Sequence, residues 1–186
     1  MKSSGYGYYI SRIYTGIGAV DKVGIQNLVN AENAGWDLID AYLSPCLNNN
    51  TCPQPNQQVI DAVQAEGMFD ILWIDVEPFG WSTDKTYNQQ FITLMVNQAK
   101  ALGKNVGIYT QPSSWDKIVG LDFTTLSNLP LWWAEGKNNT NFSEFSGWTS
   151  PYIQQNKVNQ TTSCGITFYE DYYLSPPCNP CKNKNR

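Results

Sequence analysis

A chain of 186 residues, 41% of them hydrophobic, is long enough to bury one substantial core, and no shift in composition marks a second one. Its formal charge of -4 comes without a basic stripe, which argues against nucleic acid and anionic membranes as partners. The absence of histidine excludes Ser-His-Asp and Cys-His catalysis and every His-ligated metal, so carboxylates are the acid/base groups that remain.

The predicted elements alternate. Tyr8 to Tyr14 is strand-like, and Gly24 to Gly35 carries a helical pattern through Ile25, Leu28, Val29 and Ala34. Asp37 to Leu43 is the next strand, flanked by Asp37 and Asp40, which read as capping or solvated acids, while Arg12 reads as an ion-pair partner at a strand end. Asn56 to Gly67 follows as an amphipathic helix with Val59, Ile60, Val63 and Ala65 inward. The run Phe69-Asp70-Ile71-Leu72-Trp73-Ile74-Asp75-Val76-Glu77-Pro78 reads as a buried strand closed by a loop. It ends on two carboxylates two residues apart, hence on one face. A like charge and an apolar wall each raise a carboxyl's pKa, so one member of such a pair keeps its proton while the other ionises.

Thr86 to Leu102 is the clearest helix, with Phe91, Leu94, Met95, Ala99 and Leu102 at helical spacing and Gly103 beyond it. Val106 to Thr110 is a short strand and Pro112 to Val119 a short helix. Strand and helix in turn imply parallel strands with right-handed crossovers, either a barrel or a doubly wound sheet. After Gly120 the helices fade, and Leu129–Ala134, Tyr152–Gln155 and Cys164–Phe168 look like strands joined by polar loops. Alternation puts Trp132 and Trp133 on opposite faces, one of them packed inside. No glycine-rich phosphate loop and no apolar stretch of bilayer-spanning length is present, and no cofactor is expected.

Of the five cysteines, Cys46 and Cys52 bracket a short loop that a disulfide closes easily, whereas Cys178 and Cys181 read as a clip or an unpaired tail rather than a metal site. Sequons at Asn49, Asn138, Asn141 and Asn159 fall in loop-like sequence and, with the cysteines, point to an oxidising secretory compartment and a glycoprotein. The N-terminus opposes that reading, because Met1-Lys2-Ser3-Ser4-Gly5 runs straight into a strand without a leader. A truncated or processed form is therefore expected.

The ordered series Asp75-Val76-Glu77, Gly107-Ile108-Tyr109-Thr110, Pro130-Leu131-Trp132-Trp133-Ala134, a Gln-rich strand and a closing strand after Cys164-Gly165 resembles the glycoside hydrolase family 25 lysozymes. Ser4-Gly5-Tyr6, Val96 to Lys100 and Pro45-Cys46 make it similar to their short amoeba and nematode forms. The resemblance covers residues 3–173 as one lysozyme-like domain and leaves 174–186 as a Cys/Pro/Lys tail. It implies a modified (β/α) TIM-like barrel whose last strands lack helices and whose first strand is missing. It also implies a monomeric muramidase that cleaves the β-1,4 bond between N-acetylmuramic acid and N-acetylglucosamine in bacterial peptidoglycan, secreted or lysosomal, in antibacterial defence or digestion.

By carry-over Glu77 matches the family's proton donor and Asp75 its carboxylate partner, while Tyr109, Trp133 and, more weakly, Tyr42 match aromatics of the groove. Two departures stand beside these matches. The family's N-terminal Asp-Val-Ser strand has no counterpart, and Tyr169 occupies the place of an aspartate in the closing strand, with Asp171 on the same face as a substitute. A lysozyme-like paralogue that binds carbohydrate without turnover is the alternative.

Overall fold

The computed structural model describes residues 5–48, 50–65, 67–136, 141–162 and 165–174. The elements in chain order are β1 (Tyr8–Thr15), β2 (Ala19–Val20), α1 (Lys22–Asn33), β3 (Leu38–Leu43), α2 (Pro55–Gln64), β4 (Ile71–Asp75), α3 (Lys85–Ala101), β5 (Asn105–Thr110), α4 (Pro112–Ile118), β6 (Leu131–Trp133), β7 (Ile153–Thr161) and β8 (Thr167–Tyr173). They form one eight-stranded sheet in the order β2-β1-β3-β4-β5-β6-β7-β8. Neighbours from β1 through β7 pair in parallel, and β2 and β8 attach antiparallel at the two ends.

The sheet curls far enough for its ends to meet through side chains. Tyr8 on β1 packs edge-on against Tyr173 on β8 with centroids 4.2 Å apart, and Tyr173 OH donates to Asp40 of β3 at 2.8 Å. Among the described residues no backbone ladder joins β1 to β8. Strand alternation then divides the core in two. Leu72, Ile74, Ile108 and Leu131 pack outward with Leu28, Val59, Ile92 and Met95 of the helices. Trp73, Trp132 and Ile153 form an inner cluster with Ile10, Tyr42, Tyr109 and Tyr173. The candidate site lies on this inner, aromatic face.

Local chemistry sets the helix starts. Asp21 accepts from Gly24 N at 3.0 Å and Asp84 from Tyr87 N at 3.1 Å, while Pro55 and Pro112 open α2 and α4, where a missing N–H costs nothing. Two glycines permit close approach. A Cβ on Gly24 would lie 1.5 Å from the Arg12 carbonyl oxygen, so α1 lies directly on β1 only because that position is bare. A Cβ on Gly107 would lie 2.3 Å from the Trp73 ring, so the bare β5 backbone makes room for the indole. Gly24→Ala is expected to lower unfolding free energy by about 1–3 kcal/mol in urea titrations, as the helix is pushed from the sheet.

The last two strands differ most from the sequence reading. The closing strand is Thr167–Tyr173, not 164–168, and β7 runs on to Thr161 rather than stopping at Gln155. Beyond Asn156 the β7 side chains are polar or exposed, so the apolar signal ends although pairing with β8 continues through two bulges. The two-residue β2 carries no periodicity to read.

Cys46 and Cys52 form the expected disulfide, with Cα atoms 5.6 Å apart. Gln58 braces the same loop from α2: its Oε1 accepts from Cys46 N, and its Nε2 donates to Cys46 O and Pro53 O, all at 2.9 Å. Since the loop follows directly on Ser44, reduction of the bond is expected to cost about 2 kcal/mol, read as a lower melting temperature. Asn141 lies between β6 and β7, and Asn159 sits within β7 at a positive φ of 55° instead of in a loop. Asn49, Asn138, Cys178 and Cys181 lie outside the described residues.

Candidate active site

The site is built at the C-terminal end of β4. Along that strand Ile71, Trp73 and Asp75 point to the inner face, and Glu77 follows two residues on. The backbone between the acids is fixed: Val76 N donates to Tyr109 O at 2.9 Å, Thr110 Oγ1 donates to Val76 O at 2.9 Å, and Trp81 Nε1 donates to Glu77 O at 2.8 Å. Each carboxyl has one hydroxyl donor. Ser44 Oγ donates to Asp75 Oδ2 at 3.0 Å, and Ser114 Oγ donates to Glu77 Oε1 at 3.1 Å. Asp75 Oδ1 is buried and has no partner among the described residues. A buried, unpartnered carboxyl oxygen beside a second acid is unfavourable for folding and favourable for chemistry.

Burial raises both acids. It pushes Asp75 up to about 6, against the Ser44 hydrogen bond, the Arg12 charge and the Glu77 backbone N–H, which favour the ionised form. Glu77 is raised chiefly by burial and further by the negative charge of Asp75, with Ser114 opposing. The pair therefore holds a proton into the mildly acidic range.

Aromatic side chains wall the acids. Tyr109 OH donates to Gln155 Oε1 at 3.3 Å, and burial together with the charges of Glu77 and Asp75 keeps its phenol protonated. Trp132, 6% exposed, packs on Tyr109 at 4.5 Å, Trp73 at 5.8 Å and Tyr42 at 6.2 Å. Its Nε1 donates to Asp171 Oδ1 at 2.9 Å, and burial lifts Asp171 to about 7.

The structure thus brings together Asp75, Glu77, Tyr109, Tyr42 and Asp171 of the expected residues. It does not bring Trp133 to this face. Trp133 is 3% exposed in the outer core against Phe142, and Trp132 takes the inner position. Alternation separates the two tryptophans without saying which goes in; the register Tyr109↔Trp132 decides it. Tyr169 is 53% exposed at the rim.

Asp40 corrects the sequence reading. It is not a solvated capping residue but 3% exposed beneath the site, accepting from Ile71 N and Trp73 Nε1 at 3.0 Å and from Tyr173 OH at 2.8 Å. Burial lifts it to about 6 against those three donors. Arg12 forms the expected ion pair, Nε to Asp21 Oδ2 at 2.9 Å, and its charge also reaches Asp75 and Tyr42. Ser44, Ser114 and Gln155 were missed, since single hydroxyls and amides carry no spacing signal; only their place just past strand ends or on an inner face marks them.

A groove of about 840 Å³ opens between β1 and β8. Arg12, Tyr42, Trp132 and Asp171 line it, whereas Asp75 and Glu77 are not part of its lining. Among the described residues no group of three metal-ligating side chains is gathered, and no helix is long and apolar enough to cross a membrane.

A pair of carboxyls with raised proton affinity at one strand end, with aromatics around them, is an arrangement that glycoside hydrolases use. The sequence model described as Lysozyme-like protein 1 matches residues 1–156. The chain is 41% identical to Lysozyme-like protein 5 of Caenorhabditis elegans, over 92% of this chain and 83% of that one. It is 36% identical to Probable GH family 25 lysozyme 5 of Dictyostelium discoideum, over 92% and 82%. Among solved structures, the family GH25 lysozyme from Aspergillus fumigatus superposes with a TM-score of 0.73 at 17% identity, covering 95% of this chain and 86% of that one. The bacterial lysozyme from Streptomyces coelicolor gives 0.74 at 21%, covering 94% and 84%. The chain belongs to the lysozyme-like proteins of glycoside hydrolase family 25.

Proposed function

We propose that this protein is a muramidase that hydrolyses the β-1,4 bond between N-acetylmuramic acid and N-acetylglucosamine in bacterial peptidoglycan. The observation that carries the reading is the Asp75/Glu77 pair, two carboxyls with raised proton affinity on one fixed strand end. Glu77 lies further along the chain, towards the rim, and serves as the proton donor to the leaving oxygen. Asp75, with a free Oδ1, faces the sugar being cleaved and balances positive charge there. Tyr109, Tyr42 and Trp132 supply flat apolar walls with polar tips for the sugar rings.

The lysozyme-like domain spans residues 3–173. A groove lies between β1 and β8, which share no backbone ladder among the described residues, and this supports reading the fold as a (β/α) barrel left open by one strand. The disulfide and the acid-range proton affinities suit a secreted or lysosomal protein acting on bacteria as a monomer. A second reading, a carbohydrate-binding paralogue without turnover, draws on Asp171, whose Oδ1 is held by Trp132 rather than by Glu77.

The test is digestion of purified peptidoglycan at pH 5 with analysis of the new reducing ends. Ends on N-acetylmuramic acid support the reading. Ends on N-acetylglucosamine would refute the bond assignment, and binding without any new ends would favour the second reading.

A further inference from the structure

The turn from β5 into α4 directs its side chains to the end of β4 rather than to its own helix. Thr110 Oγ1, at the end of β5, donates to Val76 O at 2.9 Å and so fixes the peptide unit next to Glu77. Gln111 occupies the N-cap of α4, yet its side chain makes no capping hydrogen bond; it favours the ionised Glu77 carboxyl instead. Ser114, in the first turn of α4, is 2% exposed, and its Oγ donates to Glu77 Oε1 at 3.1 Å.

Burial keeps bulk water from competing for that hydroxyl. A protonated carboxyl is asymmetric: one oxygen carries the proton and donates, while the other accepts. A donor held on Oε1 therefore favours the form with the proton on Oε2. Without it the two oxygens compete, and part of the population turns its proton back towards α4. Among the titratable neighbours of Glu77, Asp75 acts through its charge, Tyr109 of β5 is held neutral by burial, and Asp116 of α4 faces Lys85 at 3.5 Å.

We propose that Ser114 is a positioning residue: by donating to Oε1 it leaves Oε2 to carry the proton that Glu77 delivers to the leaving oxygen. This rests on the muramidase reading. As the bond between the anomeric carbon and the leaving oxygen breaks, the Oε2 proton passes to that oxygen and Glu77 is left as a carboxylate. The Ser114 hydrogen bond is then charge-assisted, and stronger than in the ground state.

Two readouts on Ser114→Ala test this. In protein labelled with carbon-13 glutamate, the Glu77 carboxyl signal, assigned by its absence in Glu77→Gln, titrates without any substrate. Loss of a donor that favours the ionised form should raise its midpoint by about half to one pH unit. On peptidoglycan, kcat at pH 5 should fall about three- to tenfold with KM within about twofold, while the alkaline limb moves up with the midpoint. Ser114→Thr, which keeps the hydroxyl, should restore both. A midpoint that stays or falls overturns the proposal, because Ser114 then packs against the acid or accepts from it. An unchanged kcat in Ser114→Ala beside an active parent overturns it as well. A parent that releases no new ends at any pH overturns the muramidase reading and the catalytic role of Ser114 together.

Discussion

Glu77→Gln is expected to reduce the rate of peptidoglycan hydrolysis by about 10²–10⁴-fold, the range a positioned general acid contributes. Glutamine keeps the length of the side chain and an oxygen to accept from Ser114 Oγ, so the rim keeps its shape. It cannot supply a proton to the leaving oxygen. Glycan affinity should therefore stay within a few-fold of the parent while turnover collapses, a split between KM and kcat that separates loss of chemistry from loss of binding. Clearing of cell walls at the parental rate would remove Glu77 from the role of acid. Asp75→Asn is the companion measurement. Asparagine retains an acceptor for Ser44 but not the charge, and the parental rate should fall on the alkaline side above about pH 6, where the pair gives up its proton. Burial raises both acids, Asp75 to about 6 and Glu77 in the same direction. The variant that abolishes the alkaline limb thus identifies which carboxyl carries the titrating proton.

How much of this was legible in the sequence follows from where the signals lie. The β4 run and the α3 stripe announce themselves because outward-facing residues such as Leu72, Ile74, Ile92 and Met95 are uniformly apolar and periodic. The inner face has no such regularity. It mixes Asp40, Tyr42, Trp73, Tyr109 and Asp171, so a reading based on hydrophobic period treats Asp40 as a surface acid and ends the closing strand at Phe168, short of its second half. Asp75 and Glu77 were visible because two acids end an apolar strand. The residues that tune them were not: Ser44 and Ser114 come from positions 31 residues before and 37 residues after their partners and meet them only through the parallel register. The Trp132/Trp133 choice failed for the same reason. A period of two fixes that neighbours oppose each other, and only the pairing of β6 with β5 fixes which one faces in.

The same buried acids make the fold itself pH-dependent, with an unusual sign. Asp40 and Asp75 are raised to about 6 and Asp171 to about 7, from an ordinary value of 3.8. In the unfolded chain these groups ionise near pH 4, whereas in the native protein they keep their protons two to three units longer. Above pH 4 the unfolded state binds fewer protons than the native one, so stability is fully present below that point and is lost as pH rises through 6 and 7. At about 1.4 kcal/mol per unit, each group alone would contribute a few kcal/mol. On the acid side Asp21 and Glu170, whose carboxyls are lowered by hydrogen bonds and by Arg12 and Lys157, have the opposite sign and lose their contribution as pH falls below 4. Stability should therefore peak near pH 4–5, with a melting temperature higher there than at pH 8 by roughly 2–4 °C for each kcal/mol lost in a chain of this size. Asp171→Asn isolates one group: the amide oxygen still accepts from Trp132 Nε1, but nothing titrates. Its melting temperature should match the parent at pH 4.5 and exceed it by several degrees at pH 8. Parallel profiles for parent and variant would show that Asp171 is already ionised in the native protein and that the pH dependence arises elsewhere.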